Sequence, residues 1–250
     1  MMKYKADIIQ IMKGFRARKG RTFLTMLGII IGVAGVIVIV SLGAGAQALV
    51  VGQVTKVGTN LIAVLPGKSN ETGPPASVFG VEIKTLTLRD VDAIRNPSRA
   101  PSVVAVSPVA QGSVTAIAGR ENIDTKFTGV NGEYSSIQDI PLGSGRFFTA
   151  QEGNSGASVA VLGLSVAEDL FGDTDPVGKS FKLVKTRDGE TISIPLRVIG
   201  VVEKQGTVAF QNQDDQIYIP FLIAQRQLLG ISHVQAIRIK ANDSAMVKAT

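Results

Sequence analysis

The sequence predicts an α+β extracytoplasmic domain of mixed strands and short helices, in two subdomains, anchored by one N-terminal transmembrane α-helix. Three observations carry that expectation: an uncharged run from Thr22 to Thr55, positive charge concentrated before it, and short strand-and-turn patterning after it.

The charge comes first. Of 250 residues, 26 are Lys or Arg and 20 are Asp or Glu, a formal net charge of +6. Residues 1–21 hold seven of those cations and one anion, Asp7, so they carry the whole excess. A nucleic-acid surface needs basic residues spread over a folded face. With no Trp, three Tyr and no basic stripe beyond the leader, nucleic acid is excluded as a partner. The absence of cysteine rules out disulfides, thiolate metal sites and cysteine nucleophiles.

Within the leader, residues 1–21, Ile8, Ile11, Met12 and Phe15 recur at helical spacing. They form one apolar stripe, and a basic amphipathic helix of this kind lies on a membrane face. The stretch Phe23–Leu42 that follows is twenty overwhelmingly apolar residues, enough for a helix of about 30 Å, the thickness of a bilayer core. The transmembrane segment is placed at residues 22–45. Arg16, Arg18, Lys19 and Arg21 precede it as a basic collar, and the next cation is Lys56. The positive-inside rule then puts the N-terminus in the cytoplasm and residues after about 45 outside the inner or plasma membrane. A cleavable signal peptide is the rival reading, but its apolar region runs about 7–15 residues, shorter than this one. Gly28 and Gly32 make a small-xxx-small pair continued by Gly35, a spacing that lets a second helix approach closely.

Beyond the membrane the pattern changes. Asn60–Leu65 reads as a strand and residues 67–80, rich in Gly, Pro and Ser, as a loop. Thr87-Leu-Arg-Asp90 is a capping box opening a helix. Val103–Val109, Ser113–Ile117 and Ile123–Val130 read as three strands, and Ala157–Leu162 as a fourth. Ser165–Phe171 reads as a helix with Ser165 as its cap and Glu168 completing a capping box. Phe181–Val184 and Ile192–Val202 form a hairpin around Asp188-Gly189, a dipeptide that favours tight primed turns. Gln216–Ile219 is a strand, Phe221–Leu229 a helix stopped by Gly230, and Val234–Ile239 a final strand.

No catalytic, cofactor or metal site emerges. Gly172–Ser180 imitates a phosphate-binding loop, but five residues separate its glycines where the motif has four. Gly163-Leu-Ser165-Val-Ala167 imitates a nucleophile elbow with Ala in the last glycine position. The sole histidine, His233, has no neighbouring His or Cys ligand.

Several stretches together define a likeness. Arg21-Thr-Phe-Leu-Thr-Met-Leu-Gly-Ile-Ile-Ile-Gly-Val-Ala34 resembles the first membrane helix of MacB/FtsX-like ABC transporter permeases. Gly58–Ile62, Gly145–Thr149, Val159–Gly163 with Leu170–Gly172, and Pro176–Lys179 before Val198–Val202 resemble, in order, the periplasmic core domain of that family. The resemblance implies a permease with four membrane helices that dimerises with a second copy. It also implies a cytoplasmic ABC ATPase as partner, an envelope adaptor protein among further partners, and transmission of ATPase motions through the helices to the outer domain (mechanotransmission) for efflux or envelope remodelling. By analogy the outer domain divides into a membrane-proximal part, residues 46–110 with 195–250, and an insertion, residues 111–194. The chain as given carries neither the three further helices nor an ATPase domain, so ATP hydrolysis is expected on a separate polypeptide. A single-span binding or adaptor protein is the alternative expectation, and a membrane-anchored hydrolase using Ser165 a third.

Overall fold

The structure is a computed structural model that describes residues 19–57, 60–67, 83–208 and 211–242. The chain divides after Val54 into two compact units, taken in turn here. Ile8, Ile11, Met12, Phe15, Arg16 and Arg18, and nearly all of the Gly/Pro loop, lie outside the described residues.

The first unit contains most of one helix, α1, Lys19–Val57. At 1.5 Å per residue its 39 residues extend roughly 58 Å. Its apolar part, Phe23–Gly45, has a mean hydropathy of 2.9. The helix continues without a break past Gly45 to Val57.

The second unit is built on one nine-stranded sheet. In chain order its elements are β1 (Leu61–Val64), α2 (Leu88–Arg95), β2 (Val103–Ala118), β3 (Glu121–Val130), α3 (Tyr134–Ile137) and β4 (Leu142–Gly145). There follow α4 (Ala150–Ser155), β5 (Val159–Leu162), α5 (Leu164–Phe171), β6 (Ser180–Arg187) and β7 (Glu190–Val202). A small hairpin, β8 (Thr207–Val208) with β9 (Gln211–Asn212), precedes β10 (Gln216–Pro220), a π-helical segment (Ile223–Leu229) and β11 (Ala236–Ala241). The α+β expectation holds.

Six strands close a circuit: β2 pairs β3, β3 pairs β10, β10 pairs β5, β5 pairs β7, β7 pairs β6, and β6 returns to β2. β11 and then β1 extend the sheet from β2, and β4 edges β7. The central strands are buried on both faces, which is why they read as unbroken apolar runs. Along β5, Ala160 and Leu162 join one core with Phe127, Leu183 and Leu196, while Val159 and Val161 join a second with Phe148 and Tyr218. β10 alternates the same way, Ile217 and Ile219 to the first core and Tyr218 to the second. Each fully buried large side chain of this kind contributes about 1.5–3 kcal/mol.

Three sequence expectations are corrected. Val103–Val109 and Ser113–Ile117 are one 16-residue strand, because neither Pro108 nor Gly112 breaks it. The carbonyl of Val109 faces β11, accepting from the amide of Gln235. The alternating Pro108 nitrogen therefore faces the side that β3 does not reach, where a missing N–H costs no ladder bond. Gly112 lies opposite Phe127, whose ring comes within 2.9 Å of where a Cβ would stand. The glycine is room for a core aromatic. Second, α5 starts earlier than expected: its cap is Gly163, and Ser165 lies inside the first turn. The amide of Gly163 donates to Gln216 O (2.8 Å), that of Ser165 to Asp214 O (3.1 Å) and that of Ala167 to Gly163 O (3.0 Å), so a passing loop fastens the start of α5 at Gly163, ahead of Ser165. Third, Phe221–Leu229 winds mainly as a π-helix, although Gly230 stops it in the left-handed conformation as the sequence suggests (φ +64).

Other expectations match. Thr87 caps α2, with its amide and hydroxyl both donating to the Asp90 carboxylate at 2.8 Å. The β6–β7 hairpin turns at Asp188 (φ +51) and Gly189 (φ +82), the two positive angles of a type I′ turn.

Candidate functional site

Along α1 the apolar side chains from Phe23 to Leu42 are exposed, Phe23, Ile29 and Leu42 by about two thirds each. A continuous apolar surface of this size, apolar all round, suits lipid or other helices and not water. Gly28, Gly32 and Gly35 fall on one side of the helix by their spacing, and each has open space where a Cβ would stand. Lys19 and Arg21 occupy the first turn, ahead of the apolar run.

In the second unit, the three imitations of chemical motifs resolve as structure. In the loop Gly172–Ser180 the amides that would cradle a phosphate are engaged. Val177 N–H donates to Asp175 Oδ1 (3.0 Å), Gly178 N–H to Val198 O (2.8 Å) and Lys179 N–H to Pro176 O (3.0 Å). The Lys179 ammonium lies 5.3 Å from the centre of the Phe171 ring, a cation–π distance. Ser165 belongs to α5, and the groove beside that helix, lined by Ser144, Leu164, Glu168 and Asp173 among others, holds no histidine. His233 is buried on the segment before β11, and its carbonyl accepts from Gln225 Nε2 at 3.0 Å. No group of three or more His, Asp or Glu placed to hold a metal occurs among the described residues.

What the domain does contain is a set of polar latches. Arg146 forms a bidentate pair with Glu152, both oxygens at 2.7 Å, and the same carboxylate accepts from the Thr149 amide at 2.8 Å. Hydrogen bonds from Arg146 first, then from Thr149, hold the Glu152 carboxyl at about 2. This is a capping box, T-x-x-E, on a helix the sequence reading missed although its signature was present. A second latch covers β2 where β3 leaves it. Val106 N–H donates to Glu133 Oε2 (3.0 Å), and Val106 O accepts from Asn131 Nδ2 (2.8 Å) and Arg95 (3.3 Å). Side chains thus protect a strand edge that would otherwise be open. A third is Asp214, buried, whose carboxylate accepts from the amides of Gln205 (2.8 Å) and Gly206 (3.0 Å) at the root of the β8–β9 hairpin. Burial pushes the Tyr134 and Tyr218 hydroxyls upward from their usual range, so both remain neutral, packing groups of the second core.

The second unit is thus a strand frame fastened by structural latches, whose conspicuous motifs are architectural, and the first carries an exposed apolar helix long enough to cross a bilayer. Comparison with known proteins narrows the class. Residues 22–250 match the MacB-like periplasmic core domain family, and the chain belongs to that family, the periplasmic core domain of MacB-like ABC transporter permeases. It is 35% identical over 240 residues to a macrolide export ATP-binding/permease protein MacB from Azoarcus sp.. That alignment covers 96% of this chain and 34% of the relative. A MacB protein of Bdellovibrio bacteriovorus is 34% identical, over 92% of this chain and 33% of its own length. The chain thus spans about a third of the length of these relatives. Two solved structures share the fold. The periplasmic region of MacB from Actinobacillus actinomycetemcomitans superposes with a TM-score of 0.61 at 20% identity, covering 78% of this chain and 82% of that one. The extracellular domain of the transporter YknZ from Gram-positive bacteria gives 0.57 at 24% identity, covering 76% and 88%. A periplasmic domain preceded by one apolar helix fits anchoring in the inner membrane.

Proposed function

We propose that this chain is the N-terminal part of a permease subunit that carries the motions of a separate cytoplasmic ATPase to the outer domain, for export or envelope remodelling. The observation that carries the reading is α1, which runs unbroken from Lys19 to Val57, beyond the roughly 20 residues that span a bilayer. A helix without a hinge passes displacement along its axis. The N-terminus lies in the cytoplasm, with the collar Arg16, Arg18, Lys19 and Arg21 at the inner face and the stripe Ile8, Ile11, Met12 and Phe15 against lipid. Gly28, Gly32 and Gly35 receive a partner helix, from a second copy or from another span, and ATP hydrolysis belongs to the ATPase partner. The outer domain works as residues 46–110 with 195–250 against residues 111–194. Support for a boundary near residue 110 is that β2 changes partner there, from β11 up to Val109 to β3 from Ala110.

The 250 residues hold no cysteine, so a thiol introduced among them is unique within this stretch. A single Glu121→Cys substitution on the exposed β2–β3 turn carries a nitroxide label, and distances between two copies are measured in membranes holding the cognate ATPase. Trapping the ATPase with a non-hydrolysable ATP analogue is expected to shift the distance distribution. An unchanged distribution in an assembled complex overturns transmission. Failure of any second copy to appear favours a single-span adaptor.

A further inference from the structure

The edge of a sheet invites another strand, because one row of its amides and carbonyls lacks a neighbour. The nine-stranded sheet ends in β1 on one side and β4 on the other, and the two edges are built differently. At β4 the pairing with β7 is interrupted by a bulge between Leu142 and Ser144, and Gly145 turns the chain at φ +72. A bulge of this kind bends an edge away from a straight partner. Where β2 is uncovered, at Val106, side chains of Glu133, Asn131 and Arg95 take its amide and carbonyl. β1 has none of these protections. The run Leu61-Ile-Ala-Val-Leu65 carries no charge, proline or glycine, and β1 pairs with β11 without a shift of register.

The open row of β1 follows from its bonded one. Asn60 O accepts from Ala241 N–H at 2.9 Å, so Asn60, Ile62 and Val64 turn their backbone groups toward β11. Leu61, Ala63 and Leu65, the alternate residues, turn theirs away from it. Among the described residues no backbone hydrogen bond reaches those three from that side. The side chains alternate in the same way: Ile62 and Val64 pack against the first core, whereas Ala63 is exposed and Leu65 is 40% exposed.

Leu61-Ile-Ala-Val-Leu65 also reads nearly the same in both directions about Ala63. A two-fold contact requires that property, because it sets the same patch of two copies face to face. We propose that β1 pairs antiparallel with β1 of a second copy, Ala63 against Ala63, Leu61 against Leu65 and Ile62 against Val64, so that the two sheets join. The proposal rests on the reading that a second copy is a partner, and names the surface that receives it. In this register the outward-turned residues oppose one another directly, so the open amides and carbonyls of Leu61, Ala63 and Leu65 all find mates. Every opposed pair is apolar, and no like charges meet. So short a contact falls well below the area that holds two free domains together. It suits copies tethered in one membrane: α1 ends at Val57, just before β1 opens at Leu61, and a shared anchor raises the effective concentration of the two strands.

The test is disulfide trapping in membranes that hold the chain assembled with its cognate ATPase, while the mass of the extracted complex reports copy number independently. Opposed, hydrogen-bonded residues stand about 5.5 Å apart, within the roughly 4.4–6.8 Å that a disulfide bridges. Ala63→Cys is expected to shift from the monomer to the dimer band under mild oxidation. Leu61→Cys should do so only when mixed with Leu65→Cys, because two copies of position 61 lie roughly 13 Å apart in this register. Glu121→Cys on the exposed β2–β3 turn and the parent without an added thiol are expected to stay in the monomer band. A two-copy complex in which Ala63→Cys stays monomeric overturns the proposal and leaves the permease reading standing. Equal dimer yields from Ala63→Cys and Glu121→Cys, efficient pairing of Leu61→Cys with itself, or a band joining Ala63→Cys to a different polypeptide would each overturn it as well. A complex holding one copy overturns both the proposal and the second copy as a partner.

Discussion

Replacing Gly163 with Ala tests whether the Gly-Leu-Ser-Val-Ala stretch is a frame element or a nucleophile elbow. A Cβ at Gly163 would stand 2.3 Å from Asp214 O, 2.7 Å from Asp214 C and 3.0 Å from Gln213 O. All three are backbone atoms, so no rotamer relieves the clash. Ordinary contact begins near 3.4 Å, which requires the 213–214 backbone to withdraw by about 1 Å. That backbone is held by Gly163 N–H to Gln216 O, by Ser165 N–H to Asp214 O, and by the Asp214 carboxylate on two amides. Overpacking of this kind costs about 1–3 kcal/mol, and weakening one such hydrogen bond adds about 1 kcal/mol. Gly163→Ala is therefore expected to lose about 2–4 kcal/mol. For a chain of this size that lowers Tm by roughly 5–15 °C, read by urea and thermal unfolding in detergent. Ser165→Ala is the control: it sits in the first turn of α5, where Ala is a good helix former, and should stay within about 0.5 kcal/mol. If Gly163→Ala were as stable as the parent, the steric account would be wrong. If Ser165→Ala abolished an esterase signal while folding normally, the elbow reading would return.

Three further outcomes follow from named contacts. The carboxyl of Glu152 is held at about 2 against an ordinary 4.5, so its contribution is complete above about pH 4.5 and is lost as pH falls toward 2. Arg146 is half exposed, and solvent screening limits the pair to about 0.5–1 kcal/mol. Glu152→Gln should lose that amount at pH 7 and show a flatter fall between pH 4.5 and 2, measured by urea unfolding across pH. Gly189→Ala puts a side chain at φ +82 in the β6–β7 turn and should cost about 1 kcal/mol, seen as a lower urea midpoint with an unchanged m-value. Gly28→Leu with Gly32→Leu fills the open glycine face of α1 and is expected to disrupt assembly with partner helices. An undiminished yield of the detergent-extracted complex would count against that face as a packing surface.

Legibility in the sequence followed the range of the physical signal. The apolar run of α1, the Asp188-Gly189 turn, the Thr87–Asp90 cap and the Gly230 stop depend on neighbours within a few residues, and each is where the sequence puts it. Apart from the overlooked Thr149–Glu152 capping box, which is local, the misreadings involve partners distant in the chain. Gly112 looked like a strand break because Phe127, which needs its space, lies fifteen residues on in β3. Ser165 looked like a cap because the loop at residues 213–216, which accepts from the amides of Gly163 and Ser165 and fastens the helix start there, is about fifty residues away. The Val106 latch was not visible at all, because it brings Arg95 of α2 and Asn131 and Glu133 after β3 onto one residue of β2 and exists only in three dimensions.

Four of the stretches that carried the family resemblance meet around one strand. Arg146 N–H donates to Ile199 O, Gly178 N–H to Val198 O, and Val198 N–H to Lys179 O. β5, at Val159–Leu162, pairs with Arg197–Val201 of β7. The glycines among them are there because backbones approach too closely for a side chain. A Cβ on Gly145 would lie 2.3 Å from Ile199 O, and one on Gly200 would lie 2.5 Å from Arg146 O. Gly145–Thr149, Val159–Gly163, Pro176–Lys179 and Val198–Val202 are thus four sides of one junction, each useless without the others. That interdependence explains why short stretches, weak singly, identify the family when they occur together in order. It also explains why two of them imitate catalytic motifs. Tight backbone approach and phosphate or oxyanion binding both demand glycine and exposed amides, and only the partners of those amides tell the two apart. Here the partners are neighbouring strands and loops, so what the motifs form is a joint in the frame.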